Sequence, residues 1–246
     1  MMEERLDTSR RSVFMAGVHD GVPIALGYFV VAFTLGILAK TAGLTPWQGF
    51  VTSAVNIASA GEYAGFTVIA AQAPYLEIAV LTLVANARYF LMAAALTQRF
   101  APETPLLHRL AVSFGVTDEI FGITVARGGA LNPYYNYGAM AISVPAWAAG
   151  TSAGILAGGI LPSAVVSALS VALYGMFVWV VLPAAKRSRP IGGMVLASCV
   201  LSLAATYAPV TSELSGGTRT ILLTLLIAGV GAALFPIDAE QEDDHA

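Results

Sequence analysis

From Gly128 to Ala185 the chain carries no Asp, Glu, Lys, Arg or His, a run of 58 residues. A bilayer core about 30 Å thick is crossed by roughly 20 apolar residues in a helix, so this run alone holds two crossings and a turn. Gly21–Ala39, Pro190–Ser212 and Thr220–Ile237 are equally free of charge. Successive runs of this kind need lipid around them rather than water. Composition agrees: 57% of the 246 residues are hydrophobic and only 11% charged, against roughly 25% charged in an average soluble domain. A soluble enzyme would lack the surface charge that keeps it solvated, and a disordered chain would need low hydrophobicity. Nucleic-acid binding is disfavoured because 12 Lys and Arg face 15 Asp and Glu, leaving no basic excess for phosphates. The single cysteine, Cys199, allows neither an intramolecular disulfide nor a cysteine-rich metal site.

The expected fold is an all-α, polytopic integral membrane bundle. Candidate spans run over about 18–39, 48–71, 76–97, 110–126, 139–159, 162–183, 191–208 and 220–235, separated by turns such as Thr45-Pro46, Ala73-Pro74 and Asn132-Pro133. That is about eight transmembrane helices, or seven if Ala54–Gly65, rich in Ala, Ser and Gly, is a broken or re-entrant second helix. Residues 1–17 read as a cytoplasmic tail without a cleaved signal, 18–237 as the transmembrane domain, and 238–246 as a solvated acidic tail. With eight spans, seven flanking Lys and Arg fall on the N-terminal side and four opposite. That bias places both ends in the cytoplasm and predicts a multi-pass protein of the cytoplasmic (inner) membrane. Gly36-Ile37-Leu38-Ala39 recurs as Gly154-Ile155-Leu156-Ala157; it marks either a duplication, common in transporters, or a coincidence of composition.

Charges inside these spans cost about 2.5–3.5 kcal/mol each at the bilayer centre, so they point to a wet or polar interior. Glu62 lies in span two, Asn86 and Arg88 in span three, Asp118 and Glu119 in span four. Around Glu62, Ser59-Ala60-Gly61 invites an unwound backbone whose amides and carbonyls could bind a zwitterion; the plainer reading is a packing face with Glu62 neutralised by Arg88. Arg88 has ten uncharged residues on either side, too deep to reach the interface, and its fork suits a carboxylate of a ligand or of Glu62, Asp118 or Glu119. Adjacent helical residues point about 100° apart, so Asp118 and Glu119 cannot share a face. Two nearby carboxylates in low dielectric suit a proton carrier, unless both sit at a span end in water.

Other features carry less. His19-Asp20 is expected at the cytoplasmic interface, and Trp47, Trp147 and Trp179 read as interface or core aromatics. His108 and His245 fall in a loop and a tail. Gly150, Gly154 and Gly158 place small residues four apart, a face for close helix contact. No HExxH, GxSxG or Walker loop occurs. Ser59 with His19 makes a poor hydrolase pair, so an enzyme is not expected, and neither is a metal or other cofactor.

Four patches resemble the AzlC family of branched-chain amino acid permeases: Pro23-Ile24-Ala25-Leu26-Gly27-Tyr28 with Gly36; Ala58-Ser59-Ala60-Gly61-Glu62-Tyr63-Ala64; Asn86-Ala87-Arg88-Tyr89; and Thr117-Asp118-Glu119. The resemblance implies export of branched-chain amino acids and a small separate membrane subunit of the AzlD type. The chain departs from the family pattern at Glu62, where many relatives carry Gln, which bears on substrate and coupling. Residues and resemblance together predict a small zwitterionic amino acid bound between spans two, three and four. Arg88 would take its carboxylate and Glu62 or Asp118 its ammonium, with the Ser59–Gly61 backbone, Asn86 and Thr117 completing the site. Proton coupling is expected through Glu62, Asp118 or Glu119. The alternative is a passive channel, or a non-transporting membrane subunit that binds a partner; a homo-oligomer is compatible with either.

Overall fold

A computed structural model describes residues 2–127, 129–162, 188–208, 211 and 214–235, with isolated positions between 163 and 187, and side chains from Arg10 onward. The expected span 162–183, its Trp179, and the acidic tail with His245 lie largely or wholly outside the described residues. Among the described residues the regular elements are all helices, with one isolated bridge between Phe100 and Leu131. The helices are α1 (Met2–Thr41), α2 (Pro46–Val55), α3 (Ser59–Ala70), α4 (Tyr75–Ala85), α5 (Arg88–Gln98), α6 (Leu106–Phe114), α7 (Asp118–Ala126), α8 (Pro133–Ala157), α9 (Arg189–Tyr207) and α10 (Gly216–Leu234).

Four of these, α1, α8, α9 and α10, are long and apolar enough to cross a membrane alone, and α4 with α5 forms a fifth candidate bent by 46°. The all-helical membrane fold is thus present with four to five candidate spans among the described residues, and the expected count of about eight is not reached. One expected span, 162–183, lies outside the described residues, and the rest of the shortfall has a local cause. Three of the expected spans are interrupted near their middles, at 56–58, at Asn86-Ala87 and at 115–117.

The fold is built on α1 and α8, which run parallel and lie against each other along most of their length. Glycines make this possible. A Cβ on Gly17 would strike the Tyr135 carbonyl, on Gly36 the Thr151 carbonyl, on Gly150 the Phe29 carbonyl and on Gly154 the Phe33 carbonyl. The repeated Gly-Ile-Leu-Ala segments thereby meet, Gly36 against Gly154. Without a hydrophobic drive between helices in lipid, such close backbone approach is what dispersion and packing require.

The two short-helix pairs approach this scaffold from opposite ends. In α6–α7, His108 near the start lies against Tyr134 and Tyr137 at the beginning of α8. Gly115 at the break meets Met140, and Thr124 near the end returns to Asn136. At 1.5 Å per residue the pair rises roughly 9 Å along α8 and comes back. Arg99 closes the base, donating to the carbonyls of Val125 and Gly129. In α2–α3, the Pro46 carbonyl accepts from Ser152 near the other end of α8, and Asn56 at the break reaches Asn86. From there α3 runs antiparallel to α4, with Gly61 beside Asn86, Gly65 beside Thr82, and Val68 and Glu77 both against Gly217. Because α4–α5 descends to Arg99 at the α8 N-terminal end, α3 must climb back toward the end from which α2 entered. The molecule therefore holds two opposed helical hairpins whose tips point at each other.

Candidate functional site

Each hairpin tip is written in cap chemistry. Asn56 ends α2 and Asn86 ends α4, residues with poor interior helix propensity. At the other tip Gly115 ends α6, and the Thr117 side chain caps α7 by accepting from the Ile120 amide at 3.2 Å. Asp118 and Glu119 then occupy the first turn, where carboxylates favour the positive end of the helix dipole. The motif expected to lie within a crossing helix is thus a helix start.

The tips converge on the break in α4–α5. On one side the Asn86 amide donates to Asn56 Oδ1 at 3.0 Å. Gly61 is required here, since a Cβ would collide with the Asn86 amide. Asn86 Oδ1 itself is buried and has no partner among the described residues. On the other side Arg88 pairs with Asp118 at 2.8 Å, each side chain about one-third exposed (37% and 33%). Arg88 also lies over the Tyr89 ring, 5.1 Å from its centroid, and donates to the Tyr89 hydroxyl. A cavity of about 540 Å³ opens beside this junction, lined by Thr82, Asn86, Tyr89 and Ser113 among others. A second, of about 780 Å³, runs from Ala60 and Ala85 between α3, α4 and α10, past Thr67, Thr224 and Thr220, to Glu77.

The expected site residues divide into two groups. Ser59, Ala60, Gly61, Asn86, Arg88, Thr117 and Asp118 gather at or beside the tips. Glu62 and Glu119 do not face that junction. The Glu62 side chain is 1% exposed and turned toward α8 and α2, where it accepts from Trp147 Nε1 at 2.6 Å and from Ser53 Oγ at 2.9 Å. Ser53 lies 2.7 Å from the Thr151 hydroxyl. No ion pair of Glu62 with Arg88 forms; Arg88 takes Asp118 instead. Glu119 accepts from the Tyr28 hydroxyl at 2.6 Å, and the same hydroxyl lies 2.5 Å from Thr117 Oγ1. The two adjacent acids do point apart, as helical spacing requires.

Asn56, Ser53, Tyr28, Trp147 and Thr151 were not singled out as site residues from sequence. Their one common signal is a neutral polar group facing an apolar span, and only for Asn56, paired with Asn86 as a second break residue, is it pronounced. His19 hydrogen-bonds Asp20, and Asp20 accepts from Tyr135 beside Arg127 at the hairpin base. Among the described residues no cluster of His, Cys, Asp and Glu could hold a metal.

Comparison with known proteins adds three findings. A family model described as AzlC protein matches residues 23–161. An uncharacterized membrane protein of Archaeoglobus fulgidus is 30% identical over 76% of this chain and 84% of its own length. The inner membrane protein YgaZ of Escherichia coli is 29% identical over 89% of this chain and 87% of its own. No solved structure matches the chain.

Proposed function

Given that this chain belongs to the AzlC family and is a membrane protein, we propose that it exports branched-chain or similar small neutral amino acids across the cytoplasmic membrane. The observation that carries this reading is the meeting of two opposed hairpin tips at a break in a third helix, where Arg88, Asp118 and two asparagine amides converge. Interrupted helices place backbone amides, carbonyls and dipole ends at mid-depth, where a zwitterion can exchange its hydration for them. Arg88, already holding one carboxylate, is suited to take the carboxylate of the solute, which leaves Asp118 to receive the ammonium. Asn86 Oδ1 supplies an acceptor without a present partner. The Ser59–Gly61 backbone and Thr117 complete the set.

In this reading α2–α3 and α6–α7 are re-entrant, entering from opposite faces without crossing. Among the described residues, crossings are then made by α1, α4–α5, α8, α9 and α10. The flanking basic residues support this arrangement. Before α8, Arg5, Arg10, Arg11, Arg99, Arg109 and Arg127 fall on the N-terminal side, and only Lys40 opposite. Such a division is more one-sided than eight crossings give, and it assigns the N-terminal side to the cytoplasm.

Export against a gradient calls for an energy source, and Glu62, Asp118 and Glu119 are the groups available for proton coupling. A small AzlD-type subunit is the partner implied by the family resemblance. The apolar faces of α9 and α10, with Leu196, Leu203, Leu222 and Leu225 more than half exposed, offer it a surface within the membrane.

The test is efflux of labelled valine or leucine from cells supplying the chain with its partner. Arg88→Ala abolishes efflux, whereas intact efflux in that variant removes this site from consideration. Saturation with substrate and a response to a pH gradient in proteoliposomes separate a coupled carrier from a pore or an inert subunit.

A further inference from the structure

Each hairpin carries an acid that is held by an aromatic side chain of the α1–α8 scaffold. Tyr28 on α1 donates to Glu119 of α6–α7 and touches the Thr117 cap at the tip itself. Trp147 on α8 donates to Glu62 of α2–α3. The two aromatic rings meet edge to face, with centroids 5.2 Å apart and planes at 71°. Glu119, Tyr28, Trp147 and Glu62 thus form one chain of contacts from hairpin to hairpin. Tyr28 and Trp147 are both buried, at 7% and 3% exposure.

We propose that Tyr28 and Trp147 are positioning residues that latch the two hairpins to the scaffold, Tyr28 holding the α6–α7 tip and Trp147 the α2–α3 tip. This rests on reading the hairpins as the two gates of a carrier. The scaffold cannot supply the motion, because α1 and α8 touch backbone to backbone through Gly36, Gly150 and Gly154. The hairpins can, since at its tip α6–α7 meets that scaffold through the flexible Met140 side chain beside Gly115 and through the Tyr28 hydrogen bonds. Each latch rests on a hydrogen bond from a buried aromatic side chain to an acid, so loss of one hydroxyl or one indole N–H shifts the population of an open hairpin.

The experiment uses the full chain in membrane vesicles with Cys199→Ser, and a reporter at either tip, Val116→Cys or Ile57→Cys, both buried positions. A membrane-impermeant maleimide is applied from each face. Tyr28→Phe, which keeps the ring, raises labelling of Val116→Cys about tenfold from the face bearing residues 129–132 and leaves Ile57→Cys within about twofold, the scale of losing one such hydrogen bond. Glu119→Gln acts in the same direction at Val116→Cys. Trp147→Phe raises labelling of Ile57→Cys from the opposite face. Unchanged rates in Tyr28→Phe overturn the proposal. Equal rises at both tips also overturn it, since they mean a loosened core rather than a latch. If Trp147→Phe does not fold, the Tyr28 arm decides. Labelling is read without solute, so a chain that passes here but moves no amino acid keeps its latches and loses the exporter assignment.

Discussion

Glu62 is an acid at 1% exposure whose carboxylate is held by an indole and a hydroxyl rather than by a cation. Glu62→Leu strands the Trp147 indole N–H at a cost of about 1–3 kcal/mol, while Ser53 keeps Thr151 as a partner, and a thermal melt in detergent is expected to fall by several degrees. Glu62→Gln keeps an acceptor for Trp147 and is expected to melt closer to the parent; in proteoliposomes it tests coupling, with the response to a pH gradient reduced if Glu62 carries the proton. Gly61→Leu drives a side chain into the Asn86 amide and is expected to remove efflux while the protein still elutes as a single species from a sizing column. At this scale the sequence was a good guide to charge and a poor one to neutral partners. Arg88, Asp118 and Asn86 stand out because a polar group in an apolar stretch has few explanations. Tyr28 and Trp147 do not, because the same residues occur as ordinary core and interface aromatics.

For single elements, the decisive information sits in three-residue breaks. Hydropathy marks 48–71 and 110–126 as apolar, and so they are. It does not separate a helix that crosses from two short helices that turn back, since either arrangement buries the same side chains. The turn is encoded instead by Asn56, by Gly115 and by the Thr117 cap, and Thr-Asp-Glu carries a helix-start signature that its charges obscure. Thr117→Val removes that cap, worth about 1 kcal/mol, together with the contact to Tyr28. Faster hydrogen exchange confined to α7 is the expected readout. Glycine contact is the other encoded element. Gly154→Leu places a side chain against the Phe33 carbonyl, and overpacking of about 1–3 kcal/mol, with no flexible neighbour to yield, is expected to abolish a monodisperse sizing peak.

For the whole molecule, the hairpins dictate sidedness, and sidedness can be measured. In a Cys199→Ser background, Glu103→Cys and Ala130→Cys are expected to label from one face of the membrane, and Ala42→Cys and Ala73→Cys from the other. Eight full crossings require the members of each pair to label from opposite faces. Eight was the natural count from apolar length; the connections between Arg99 and Gly129 and between Asn56 and Asn86 join residues 30 apart, which periodicity does not see. The pairing of Gly36 with Gly154 joins residues still more distant and bears on how the chain is made. As α1 leaves the ribosome its glycine face has nothing to meet, and α2 and α3 enter lipid before Trp147 exists to hold Glu62. The 91 residues between Thr41 and Pro133 must be made before α8 begins, so the core closes late and nearly all at once, and a chain truncated before residue 133 has no scaffold on which to close.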